Sequence, residues 1–145
     1  MLNGDEMNIP KGYIFSVVLA AIALILLAFA MPATLSAPDR VELLYFHRTE
    51  RCQSCINAEQ FARDTIETYF PEELKSGILS MQSIDYQKNA EIAGKYNVKM
   101  QGLKLRIVKD GIEVIKDVPE IWAYVKDRNA YMGYLKGILE KEMGR

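Results

Sequence analysis

Apolar residues are spread unevenly along this chain, and their spacing changes character near residue 38. Tyr13 to Met31 reads YIFSVVLAAIALILLAFAM, 19 residues interrupted only by Ser16, and no charge occurs from Gly12 to Pro38. A helix of that length is roughly 30 Å, the hydrocarbon thickness of a bilayer. It has no polar face to offer to water, so a membrane anchor is the expectation for residues 13–31, with residues 1–12 as a leading tail. The competing readings are a core helix and a cleavable leader. Ala28 and Ala30 flank Phe29 in a small-residue cleavage pattern, but Pro32 follows it and the leading tail sets only Lys11 against Asp5 and Glu6. Lys11 before the span and Arg40 after it cancel as orientation signals. A short tail ahead of a single anchor then favours a domain delivered outside the cytoplasm. Residues 32–38, with two prolines and small side chains, form a tether.

From residue 39 onward the pattern alternates between strand and helix periods. Val41–Phe46 (VELLYF) is a short buried strand. His47–Arg51 is a polar loop. Cys55, Ala58, Phe61, Ala62, Ile66 and Tyr69 then fall on one helical stripe, with Glu59, Arg63, Asp64 and Glu67 opposite, and Pro71 ends that helix. Ile78–Asp85 is a second strand and Asn89–Tyr96 a short helix. Leu103, Leu105 and Ile107 alternate with Lys104 and Arg106, as in a half-exposed strand. Lys109-Asp110-Gly111 is a hairpin turn and Ile112–Ile115 its return strand. Pro119–Val125 and Tyr131–Leu139 are helical, broken near Asp127. The aromatic residues Tyr45, Phe46, Phe61, Tyr69 and Trp122 are expected in the core, and Gly133 and Gly137 against the sheet. The fold class is therefore α/β, a mixed sheet of about four strands flanked by helices. The first two strands, joined by a crossover helix, are parallel and the last two antiparallel.

Composition narrows the function. Lys11, Asp5 and Glu6 are the charges ahead of residue 39, which leaves 17 basic and 17 acidic residues in the segment 39–145. With no basic excess, a nucleic-acid partner is not expected. The chain holds two cysteines and one histidine, too few for a four-ligand zinc ribbon from this chain alone.

Both cysteines lie at the first strand–helix junction, as Cys52-Gln53-Ser54-Cys55. A cysteine at a helix N-terminus meets unpaired backbone N–H groups and the positive end of the helix dipole, which favour the thiolate. The thiolate is the attacking species in disulfide exchange. Arg51, Arg48 and His47 are candidates to tune it, although His47 could equally close the strand in solvent and the arginines could be solvated. Cys55 shares the apolar stripe and should be shielded. Three other uses compete with redox exchange. A structural disulfide would close a very short loop, a soft metal could be held by Cys52, Cys55 and His47 or a partner's ligands, and the thiols could be idle.

The strand VELLYF, the motif RCQSC, the segment KYNVKMQG and the hairpin LRIVKDGIEV resemble the thioredoxin superfamily, from Val41 to about Leu139. More narrowly, YFHRTERCQSC with the following AEQFARDTIETYFPEELKSG is similar to small ArsF-like proteins, also described as nitrophenyl-compound nitroreductase subunits, some of them membrane-anchored beside membrane electron carriers. The resemblance implies a thioredoxin-like three-layer fold and a substrate groove at Gln101, Gly102 and Leu103. It also implies a protein disulfide or dithiol as partner, and no cofactor beyond the Cys52–Cys55 couple. The sequence departs from the superfamily pattern in four places. Arg51 replaces the aromatic residue before the first cysteine, and Gln53-Ser54 replaces Gly-Pro between the two. Lys99–Leu103 lacks the cis-proline that shapes the groove and keeps metals off the thiols. The first strand has Tyr45 and Phe46 where many thioredoxins bury an acid, so proton transfer at Cys55 has no evident carrier. No dinucleotide-binding glycine motif is present to support nitro reduction.

Overall fold

The structure is a computed structural model that describes residues 37–145 together with Leu19. The anchor expected at 13–31 and most of the tether therefore lie outside the described residues. No helix among the described residues is long and apolar enough to cross a membrane. The compact unit that contains the cysteines runs from Ser36 to Arg145.

Its elements are β1 (Arg40–His47), α1 (Gln53–Tyr69), α2 (Pro71–Ser76), β2 (Leu79–Asp85), α3 (Ala90–Lys95), β3 (Gly102–Lys109), β4 (Ile112–Asp117), α4 (Ile121–Tyr124) and α5 (Arg128–Glu142). Four strands form one mixed sheet in the order β2-β1-β3-β4. β1 is parallel to β2, with Val41 opposite Leu79 and His47 opposite Asp85, and antiparallel to β3, with Tyr45 opposite Leu103 and Phe46 opposite Gly102. β3 and β4 are antiparallel. The α/β class, the four-stranded mixed sheet and the flanking helices match the expectation from the sequence.

Burial follows the period of each element. β1 is central and covered on both faces, so six consecutive residues from Val41 to Phe46 are buried. β3 alternates, with Leu103, Leu105 and Ile107 inward and Lys104 and Arg106 half-exposed. The inward residues of β1 and β3 pack with Ala58, Ala62, Ile66 and Phe70 of the α1 side and with Tyr131, Leu135 and Leu139 of α5. Each large apolar side chain so buried contributes about 1.5–3 kcal/mol before entropy is charged. The β3–β4 turn closes on Asp110 (φ 51°) and Gly111 (φ 75°), two consecutive left-handed residues, as a two-residue hairpin twisted with its strands requires.

The structure differs from the sequence reading in four details. Gly133 and Gly137 of α5 are exposed, with open space where a side chain would start, and so do not pack against the sheet. Pro71 does not merely stop α1. It occupies the first turn of α2, where its missing N–H costs nothing. Tyr69 is exposed rather than in the core, because Phe70 takes the buried place where the chain turns and Lys136 lies over the Tyr69 ring instead. β4 continues to Asp117, and all six of its residues are exposed at the edge of the sheet.

Candidate functional site: the Cys52–Cys55 helix tip

β1 delivers the chain to the end of the sheet, and the five residues Arg48–Cys52 turn it into α1. Side chains from β2 and the segment after it pin that loop. Thr49 Oγ1 donates to Asp85 Oδ2 at 2.7 Å, Thr49 N–H donates to Gln87 Oε1 at 3.0 Å, and Arg48 Nε donates to the Tyr86 hydroxyl at 3.3 Å. The Thr49 hydroxyl and the Gln87 and Lys88 amides hold the Asp85 carboxyl below its ordinary range.

Cys52 is the N-cap of α1, in extended conformation. Its sulfur occupies the place that a serine or aspartate oxygen takes in ordinary caps. The Cys55 N–H, the third of the helix, donates to Cys52 Sγ at 3.3 Å and also to the Cys52 carbonyl at 3.0 Å. The two thiols differ sharply in exposure, Cys52 being open to solvent and Cys55 only 3% exposed, and both are free. The Cys55 thiol and then the Cys55 amide hydrogen-bond Cys52 and hold its pKa below that of an ordinary cysteine. Burial, and then the hydrogen bond given to Cys52, push Cys55 up. An exposed, acidified thiol beside a shielded, less acidic one can attack and be resolved in turn.

The cations expected around Cys52 are directed elsewhere. His47 Nδ1 donates to the Arg48 carbonyl at 2.8 Å, beside Tyr45. Arg48 reaches Tyr86. Arg51 turns inward, donating from Nη2 to the Cys55 carbonyl at 3.3 Å and touching Glu59 Oε2 at 2.5 Å. In that contact Arg51 Nη2 meets Glu59 Oε2 directly, while Arg51 Nε is buried without a hydrogen-bond partner among the described residues. Arg63 holds the other Glu59 oxygen at 3.0 Å. Burial opposes the Glu59 charge, but hydrogen bonds from Arg63, Arg51 and Ser83 outweigh it and keep the carboxyl below its ordinary range. Tyr45, directly beneath, donates its hydroxyl to the same Cys55 carbonyl at 2.7 Å and is itself held neutral by burial.

Glu59 is the residue that sequence reasoning placed on the outer face of α1. Its signal was its position one helical turn after Cys55 and eight residues after Arg51. Gln101, Gly102 and Leu103 line a cleft of about 360 Å³ with Phe46, Val98 and Trp122. Gln101, Met100 and Trp122 also face Arg48 and Tyr86 across a neighbouring depression of about 480 Å³. The Phe46–Gly102 pairing sets this cleft beside the end of β1, but neither cysteine is part of its lining. Among the described residues no group of three His, Cys, Asp or Glu side chains is placed to hold a metal ion.

No family model matches the chain, and no curated protein matches it. Among solved structures, the chain is similar to a malarial protein at 21% identity, covering 66% of this chain and 96% of that one, with a TM-score of 0.39. It is also similar to a designed protein at 17% identity, covering 69% of this chain and 79% of that one, with a TM-score of 0.42. Both likenesses are too slight to bear on its fold or chemistry.

Proposed function

We propose that this is a thioredoxin-like thiol–disulfide oxidoreductase, tethered to the cell membrane by the span at 13–31 with its domain on the extracytoplasmic side. It exchanges electrons with a disulfide or dithiol of a partner protein, a membrane electron carrier included, and its redox group is the Cys52–Cys55 couple itself. The observation that carries this reading is the position of Cys52 Sγ as the cap of α1, exposed and acidified, with Cys55 shielded one turn on. The strand order and the placement of the motif between β1 and α1 support the thioredoxin-like class, as does the resemblance of the sequence.

In the reductive direction the Cys52 thiolate attacks one sulfur of the partner disulfide. An S–S bond forms between Cys52 and the partner, and the second partner sulfur leaves as a thiolate. Cys55 loses its proton and attacks Cys52 Sγ. The Cys52–Cys55 disulfide forms and the first partner sulfur leaves, so two electrons and two protons have passed to the partner. A second dithiol protein restores the reduced couple by the reverse sequence. Membrane tethering raises the effective concentration of membrane-bound partners.

The test is trapping. Cys55→Ser should accumulate a mixed disulfide through Cys52, and Cys52→Ser should accumulate little, because Cys55 is buried. Equal trapping by both variants, or a wild-type chain that forms no reversible intramolecular disulfide, would reject the proposal.

A further inference from the structure

The partly buried ion pair at the base of the helix tip is not accounted for by thiol exchange alone. Arg51 and Glu59 are both largely withdrawn from water, their side chains 25% and 14% exposed. Burying two charges is costly unless they are paired and used. The pair does not close a gap between distant elements, since both residues belong to the one loop–helix segment that carries the cysteines. It converges instead on a single backbone atom, the Cys55 carbonyl, which accepts from both Arg51 Nη2 and Tyr45 Oη.

We propose that Arg51 and Glu59 are positioning residues for the resolving cysteine, with Glu59 holding Arg51 on the Cys55 carbonyl so that the two charges jointly set the field under the Cys52–Cys55 couple. The inference rests on the thiol-exchange reading. Arg51 favours an anion at Cys55 and Glu59 disfavours it, so neither acts alone. Cys52 at the cap, Tyr45 from β1 and Arg51 from the loop meet Cys55 directly, and Glu59 of α1 acts on it through Arg51. Arg63 and Ser83 reach it only through Glu59, and Tyr131 of α5 is engaged with the Ala58 carbonyl at 2.8 Å. Tyr45 and Tyr131 are both pushed above the ordinary tyrosine range by burial and so remain neutral. The net field therefore depends on Arg51 and Glu59. Because Glu59 is held as a carboxylate, its role here is charge compensation and not proton donation.

Opposite shifts separate this role from a merely structural one. Glu59→Gln leaves the cation uncompensated and should lower the Cys55 titration by about one unit, the scale for an opposite charge close to a thiol. Arg51→Met leaves the anion and should raise it by a similar amount, and the double variant should return towards wild type. The readout is the 13C chemical shift of Cys55 Cβ against pH in the reduced protein, beside the equilibrium potential of the couple. Should either variant not fold, Glu59→Asp and Arg51→Lys serve in its place. Glu59→Asp should shift Cys55 in the direction of Glu59→Gln by less, and Arg51→Lys should restore most of the wild-type value. Shifts of the same sign in both variants, or none, overturn the inference while leaving a reversible disulfide and normal trapping intact. Loss of the disulfide in the wild-type chain would instead remove the exchange reading beneath it.

Discussion

On the sheet face covered by α1 and α5, Val41, Leu43 and Tyr45 of β1 meet Leu103, Leu105 and Ile107 of β3 in one continuous apolar layer. On the opposite face the buried apolar cluster among the described residues is Leu44, Phe46 and Ile84, with Tyr86, Tyr96 and Val98 packed around them. The remainder of that face is closed by charge. Arg106 lies between Glu42 at 2.9 Å and Glu113 at 2.5 Å, and Lys104 pairs with Asp117. Both layers rest on the same strands, yet one is stabilised by area removed from water and the other partly by fixed ion pairs. The cysteine helix belongs to the first, so it is anchored by the larger of the two apolar clusters.

Substitutions can break or sharpen this contrast. Leu105→Ala in the dense layer should cost about 3 kcal/mol, since the layer around it has little room to collapse, and the midpoint of urea unfolding would report it. Leu44→Ala, equally buried but in the small cluster, should cost about 2 kcal/mol. If the two losses were equal, the faces would not differ in packing as described.

Arg106→Met should cost about 1 kcal/mol, chiefly by leaving the mostly buried Glu42 with the longer 3.5 Å contact to the exposed Arg40 in place of its closer partner. It should also change the pH dependence. The Arg106 hydrogen bond holds the Glu113 carboxyl below its ordinary value of 4.5. A depressed carboxylate contributes stability above its unfolded pKa and loses it as pH falls through the folded value. Wild type should therefore weaken more than the Arg106→Met variant between pH 5 and pH 3, roughly the range where carboxylates titrate. Identical pH profiles would show that the triad does not couple to folding. The smallest effect belongs to Asp117→Asn, whose carboxylate is mostly exposed. It should move stability by less than about 0.5 kcal/mol.

How much of this was legible in the sequence differs from residue to residue. The alternation from Leu103 to Ile107 predicts a strand with one wet face because its period is two and its polar residues are charged. Asp110-Gly111 predicts the hairpin because few other pairs accept two consecutive positive φ values. The Cys52–Cys55 spacing predicts one capping and one buried thiol from helical geometry alone. Pro71 is ambiguous in principle, since the same ring that ends one helix suits the first turn of the next. Arg51 shows the limit of sequence distance. Adjacent to Cys52 in the chain, its long side chain folds under the helix towards Glu59, a choice made by rotamers and by a carboxylate one turn away. The charges of Glu42, Arg106 and Glu113 are visible in the sequence, but their convergence depends on the β1–β3–β4 register.

The cap at Cys52 gives the domain an internal meter. The Cys55 amide proton is shared between the Cys52 carbonyl and the Cys52 sulfur. Any event that draws electron density from that sulfur, whether alkylation, a mixed disulfide or a bond to Cys55, takes away one of the proton's two acceptors. The same amide is the third N–H of the helix and its backbone acceptor is the Cys52 carbonyl, so its exchange with solvent and its 15N frequency respond to the chemistry of a sulfur it is not covalently bonded to. A single backbone resonance thus reports the state of Cys52 without any label on the thiol.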